Sequence, residues 1–134
     1  MIQFPRRWRL YDFLDTRGRS VVKEWARTQK DEMKARMNQR LDTLERHGPE
    51  LPSGMLAGTR QRHIDKLKIY GPGVTWRIMI CKGPINNEHE FTILYIAQEK
   101  DRKLIPQDAD RLADERRAII IADPERRCDH ERLV

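Results

Sequence analysis

The stretch EFTILYIAQEKDRKLIPQDADRLADER, residues 90–116, decides the fold. It opens on Phe91-Thr92-Ile93-Leu94-Tyr95-Ile96-Ala97, which is apolar on both alternating faces and so suits a strand at the centre of a sheet. It then turns to charge at Glu99-Lys100-Asp101-Arg102-Lys103. Pro106 suits the first turn of a helix. Beyond it Ala109, Leu112, Ala113, Arg116 and Ile120 recur at helical spacing and predict one inner face. A strand that leaves the core at a sheet rim sets its first exposed residues over the open face. The charged QEKDRK run is therefore expected at the edge of a basic cleft.

Upstream, IDKLKIY (64–70) and VTWRIMIC (74–81) flank Gly71-Pro72-Gly73 and predict an antiparallel hairpin. Alternation puts Asp65, Leu67 and Ile69 with Val74, Trp76, Ile78 and Ile80 on one face. Lys66, Lys68 and Tyr70 with Thr75, Arg77, Met79 and Cys81 take the other. Before the hairpin, PELPSGMLAGTR (49–60) is Pro- and Gly-rich and is expected to be a loop. Met33, Met37, Leu41 and Leu44 make an apolar stripe on a helix over 31–46, stopped by Gly48-Pro49. Ser20 is a candidate N-cap for a shorter helix bearing Val22, Trp25 and Ala26. RWRLYDF (7–13) alternates loosely and predicts a first strand.

The predicted order is β-α-α-β-β-β-α. This is an α+β architecture, a short antiparallel sheet with two N-terminal helices packed on one face and a C-terminal helix. Val22, Trp25, Met37, Leu41, Leu44, Leu67, Ile69, Trp76, Ile78, Ile93 and Leu112 are expected to form one core. With 134 residues in all, one domain is expected over 1–122, followed by a charged, frayed tail over 123–134.

The composition narrows the partners. Net charge is +6, with 36% charged residues, which favours polyanions such as nucleic acid, a ribosome or an acidic protein. The charge is uneven. Residues 52–82 carry six Lys/Arg against the single acid Asp65, net +5, whereas 83–134 carry nine against twelve, net −3. No secretory leader is expected in MIQFPRRWRLYDFL, and no run approaches the ~20 apolar residues of a membrane span. Two cysteines, Cys81 and Cys128, make no disulfide framework and favour a cytoplasmic location. His47, His63, His89 and His130 lack metal-ligand spacing, so neither a metal nor another cofactor is expected. Tyr70, Tyr95 and Tyr11 are the available platforms for base stacking.

The order of several segments resembles the RelE/ParE superfamily of bacterial toxins, nearest its HigB-like, phage-derived branch, over roughly residues 8–121. Leu56-Ala57-Gly58 followed by DKLKI is similar to the family's Leu-Gly-Glu-Leu-Arg segment, with Lys68 at its arginine. TWRIMI resembles its Tyr-Arg-Val strand, with Arg77 at the arginine. ILYIAQEK and Pro106 resemble a strand ending in a lysine pair, with Lys100 at the second lysine. DADRLADERRA resembles the closing helix. Glu99 replaces the pair's first lysine, Tyr95 replaces a histidine, and the tail has no tyrosine.

The resemblance implies a toxin of a type II toxin–antitoxin pair, with a cognate antitoxin as partner. It also implies either mRNA cleavage on the ribosome or, as in the ParE-like branch, non-catalytic inhibition of gyrase. A third reading is an inactive basic nucleic-acid-binding protein of phage origin. RNA can be cut without a metal when its 2′-hydroxyl attacks the adjacent phosphate. A protein then deprotonates that hydroxyl, stabilises the pentavalent phosphate and protonates the leaving oxygen. Arginine suits the middle task because it stays charged and forks onto phosphate oxygens. Arg77 is thus the first catalytic candidate, with Lys68 and Lys100 assisting. Arg60, Arg62, Lys66, Lys82, Arg102 and Lys103 are candidates for gripping RNA. The chain is expected to be a monomer or dimer when free.

Overall fold

Strand β5 (Glu90–Lys100) runs through the middle of the sheet, as its two-sided apolar sequence requires. A computed structural model describes residues 7–51 and 54–134. One edge of β5 takes β4 (Val74–Lys82), antiparallel, from Lys82 opposite Phe91 to Thr75 opposite Glu99. Its other edge is divided. β1 (Arg9–Phe13) runs parallel to the start of β5, and β6 (Lys103–Ile105) pairs with its end. β3 (Asp65–Gly71) forms the expected hairpin with β4, β2 (Leu56–Gly58) pairs with β3, and β7 (Arg127–Asp129) pairs with β1. The result is a seven-stranded, mostly antiparallel sheet of order β2-β3-β4-β5-β1-β7, with β6 beside β5.

The α+β class holds, but the sheet is larger than the short one expected and its order differs. The additional strands β2, β6 and β7 have three residues each, too short to carry a period-2 signal. β6 exists because the chain reverses at Asp101 and Arg102, both at positive φ (52° and 65°). That geometry matches the twist of a two-residue hairpin, but Arg is seldom found in it. The β1–β5 pairing is parallel, against the all-antiparallel expectation. Of the loop expected over 49–60, Pro52 and Ser53 lie outside the described residues. So do residues 1–6 of the stretch in which no secretory leader is expected.

Helix α1 (Val21–Ala26) is capped by Ser20, whose Oγ accepts the Lys23 N–H at 3.2 Å and donates to Asp12 Oδ2 at 2.7 Å. Helix α2 (Asp31–His47) buries Met33, Met37, Leu41 and Leu44, the stripe its sequence predicts. Gly48 ends it at φ 59°, and a Cβ there would lie 2.2 Å from Trp8 Nε1, so both turn and packing demand glycine. Helix α3 (Ala109–Ala122) begins a few residues after Pro106.

Helices α1 and α2 cover one face of the sheet over Leu10, Leu67, Ile69, Ile78, Ile80, Phe91 and Ile93. Helix α3 covers the other, where Ala109, Ala113 and Ile120 meet Phe13, Met79, Cys81, Leu94 and Ala97. The single core expected from sequence is therefore two. Leu112 belongs to neither and is only half-buried. A register shift at Met79/Ile80 skips Leu94, so Leu94 and Tyr95 both face α3.

The tail expected to fray is instead docked. β7 is followed by His130 Nδ1 at 2.8 Å from Asp12 Oδ1, and by Leu133, whose N–H donates to Asn38 Oδ1 at 3.0 Å. Asn38 Nδ2 donates back to the Leu133 carbonyl at 2.9 Å. The partners lie about a hundred residues away in sequence, so no local pattern could announce them.

Candidate nucleic-acid interface

The face that carries α3 is only partly covered by it. Toward the β3–β4 turn, alternation brings out Lys66, Lys68 and Arg77, with Lys68 directly opposite Arg77 across the hairpin. From β5 comes Glu99, and the Arg77 Nε donates to its Oε2. Arg77 is only 7% exposed. Of the two acids on this face of β5, Glu99 takes Arg77 and Glu90 does not. Glu90 is held by Arg127 of β7 at the opposite end of β5. The hydrogen bond from Arg77 holds the Glu99 carboxyl below its usual range against the cost of burial, with the charges of Arg77, Lys68 and Lys66 adding to it. Glu99 is therefore an ionised acceptor among three cations.

Lys66 also lines a cleft of about 190 Å³ with Thr59, Arg60, Arg102, Lys103, Leu104, Gln107 and Asp110. A second cleft, about 350 Å³, is lined by Arg62, His63, Asp65, Lys82, Asn87 and Arg117. The candidate RNA-gripping residues thus divide: Arg60, Lys66, Arg102 and Lys103 in the first, Arg62 and Lys82 in the second. Lys100 lines neither. It pairs with Lys103 across the β5–β6 hairpin and alternates with Glu99 along β5, so it is not brought beside Arg77.

Ion pairing is sparser in this region than over the rest of the described chain, where about half of the Lys and Arg side chains, Arg17, Arg19, Lys30, Arg40 and Arg46 among them, also lack an acidic partner. Arg7, Arg9, Lys23, Arg27, Lys34, Arg36, Arg111 and Arg132 each sit in an ion pair. Between residues 60 and 103 only Arg77 does so among the described residues. Arg60, Arg62, Lys66, Lys68, Lys82, Lys100, Arg102 and Lys103 are without an acidic partner there. The Lys68 Nζ instead lies 5.1 Å from the ring centre of Tyr70, which is 55% exposed.

The other aromatic candidates are taken. The Arg127 guanidinium lies 3.8 Å from the Tyr11 ring centre, and that of Arg116 lies 4.7 Å from Tyr95. Arg116 also donates to the Leu94 carbonyl at 2.7 Å, which makes it a strut between α3 and β5. Burial pushes the Cys81 thiol up to about 12, an inert packed side chain.

Sequence reasoning did not single out Arg117, Asn87, Gln107 or Asp110. Arg117 had a findable signal, since it falls four residues after Ala113 and three before Ile120, on the inner stripe of α3. Glu99 stood out only as a departure from a family pattern. No group of three or more His, Cys, Asp or Glu side chains among the described residues is placed to hold a metal ion. No helix among them is long and apolar enough to cross a membrane. No protein-family model, curated protein or solved structure matches this chain.

Proposed function

We propose that this protein is the toxin of a type II toxin–antitoxin pair, acting on ribosome-bound mRNA as an endoribonuclease of the RelE-like, HigB-like kind. The observation that supports the reading is the set of unpaired cations between Arg60 and Lys103, of which Lys66 and Lys68 adjoin the Arg77–Glu99 pair. Unpaired cations, most of them exposed and six of them lining the two clefts, suit a phosphate backbone, which exchanges condensed counterions for them. The pair supplies complementary chemistry. Glu99 Oε2 holds the Arg77 Nε, which leaves the two Nη groups to fork onto a phosphate.

In this scheme the ionised Glu99 accepts the proton of the 2′-hydroxyl as that oxygen bonds to phosphorus. Arg77 stabilises the pentavalent phosphate, and Lys68 protonates the departing 5′-oxygen. The products are a cyclic phosphate and a 5′-hydroxyl. Lys100, Lys103 and Arg102 grip the backbone at the β5–β6 hairpin. An antitoxin covers the same basic face with an acidic or amphipathic segment, an association that weakens with salt.

A second reading, ParE-like gyrase inhibition without catalysis, is favoured by one observation: Arg77 is nearly buried and already paired. Induced expression separates the two. The endoribonuclease reading expects growth arrest with new mRNA 5′ ends, and a loss of on the order of 10²–10³ in cleavage for Arg77→Ala. Arrest with gyrase-dependent DNA breaks and no new mRNA ends would transfer the protein to the second reading. No arrest would leave a binding protein.

A further inference from the structure

The second cleft has a composition that RNA cleavage at Arg77 does not explain. It lies where the Thr59–His63 loop, the start of β3, the end of β4 and α3 meet. Arg62, Lys82 and Arg117 converge on it from three separate elements, and none has an ion-pair partner among the described residues. The Arg117 Nε is withdrawn from water without any acceptor among them. A guanidinium N–H in that state lacks what every buried donor needs. The one carboxylate present, Asp65, is half-buried. Burial pushes its carboxyl up while the Lys82 charge opposes this, and three cations outnumber it in the cleft. Asn87 adds an amide able to donate, and His63 adds an imidazole. The volume, about 350 Å³, admits a phosphoryl group with a sugar attached.

We propose that this cleft is a phosphoryl-binding site, in which Arg62, Lys82 and Arg117 bind one phosphate group. The ligand chemistry is shared by inorganic phosphate, a 5′-mononucleotide and a phosphodiester of RNA. The two clefts border the same short loop, with Arg60 turned into the first and Arg62 into the second. A single strand crossing that loop would leave phosphates in both. The proposal goes beyond the nuclease reading and stands without it, because binding is what is measured.

The test is titration of the full chain, at low ionic strength, with inorganic phosphate, adenosine 5′-monophosphate and a ten-nucleotide single-stranded RNA, followed by calorimetry and amide chemical shifts. Shifts at Arg62, Lys82 and Arg117 with at least one of the three probes are expected. Arg62 is exposed, so Arg62→Gln should fold normally and weaken the bound probe about tenfold. Arg117→Gln should do the same if folded. Response to the RNA alone would assign the site to the backbone; response to phosphate or the mononucleotide as well would assign it to a discrete phosphoryl group. Arg17→Gln, an exposed cation that lines neither cleft, should leave inorganic phosphate and mononucleotide binding unchanged. Absence of shifts at these residues with all three probes, or unchanged affinity in Arg62→Gln, would overturn the proposal.

Discussion

The two faces of the sheet are built on different principles, and β5 shows it within one strand. Toward α1 and α2 it packs Phe91, Ile93 and Ile96, and only its exposed end, Gln98 and Lys100, is polar on that side. Toward α3 it presents Glu90, Thr92, Leu94, Tyr95, Ala97 and Glu99. The apolar middle of that second face is covered by α3, and a largely buried ion pair stands at each end, Arg127–Glu90 and Arg77–Glu99. The first face is stabilised by area removed from water, which is non-directional and tolerant. The second depends on charges whose partners must remain in place. The difference assigns stability chiefly to one face and leaves the other able to display cations.

Isolating a buried charge on the second face should cost the fold most. Arg127→Ala strands Glu90, whose side chain is 7% exposed, and should cost about 3–5 kcal/mol by urea unfolding. A cost below 1 kcal/mol would mean that the tail does not secure β1 and β5. On the apolar face, Leu41→Ala should cost roughly 2–5 kcal/mol, with the lower end expected if α2 settles into the space. Thermal unfolding equal to the parent would remove α2 from that core.

Glu99→Gln keeps the shape and removes the charge, so a smaller loss of about 1–3 kcal/mol at neutral pH is expected. Its pH dependence sharpens the point. The native Glu99 carboxyl is depressed by its bond to Arg77. Its contribution is thus full above the ordinary glutamate range and lost as pH falls through the depressed native value. The parent should therefore lose stability on that acid limb, and Glu99→Gln should lose less. Identical acid limbs would disconnect Glu99 from Arg77 in solution. The smallest effect on folding belongs to Lys103→Gln, within about 0.5 kcal/mol of the parent. Its RNA affinity should fall, with the slope of log affinity against log salt shallower by about 0.7, the value for one single-stranded phosphate contact. An unchanged slope would take the β5–β6 hairpin out of the interface.

Much of this was legible residue by residue. The period-2 pattern of Asp65–Gly71 and Val74–Lys82 and the period-3.6 stripe of Met33, Met37, Leu41 and Leu44 sufficed for the hairpin and for α2, because burial on one face imposes those periods. The two-sided apolar run of β5 sufficed for its central place. The uneven charge announced where unpaired cations would gather. What remained for the tertiary structure was every choice between equivalent partners. Sequence spacing does not say which sheet face a third helix will cover, and α3 took the face opposite α1 and α2. It does not say that a charged tail will find Tyr11, Asp12 and Phe13 far away in the chain, nor that Arg77 will meet Glu99 while Arg127 meets Glu90. Periodicity is local and survives in the chain, whereas the pairing of charges depends on distances that exist only once the strands are aligned.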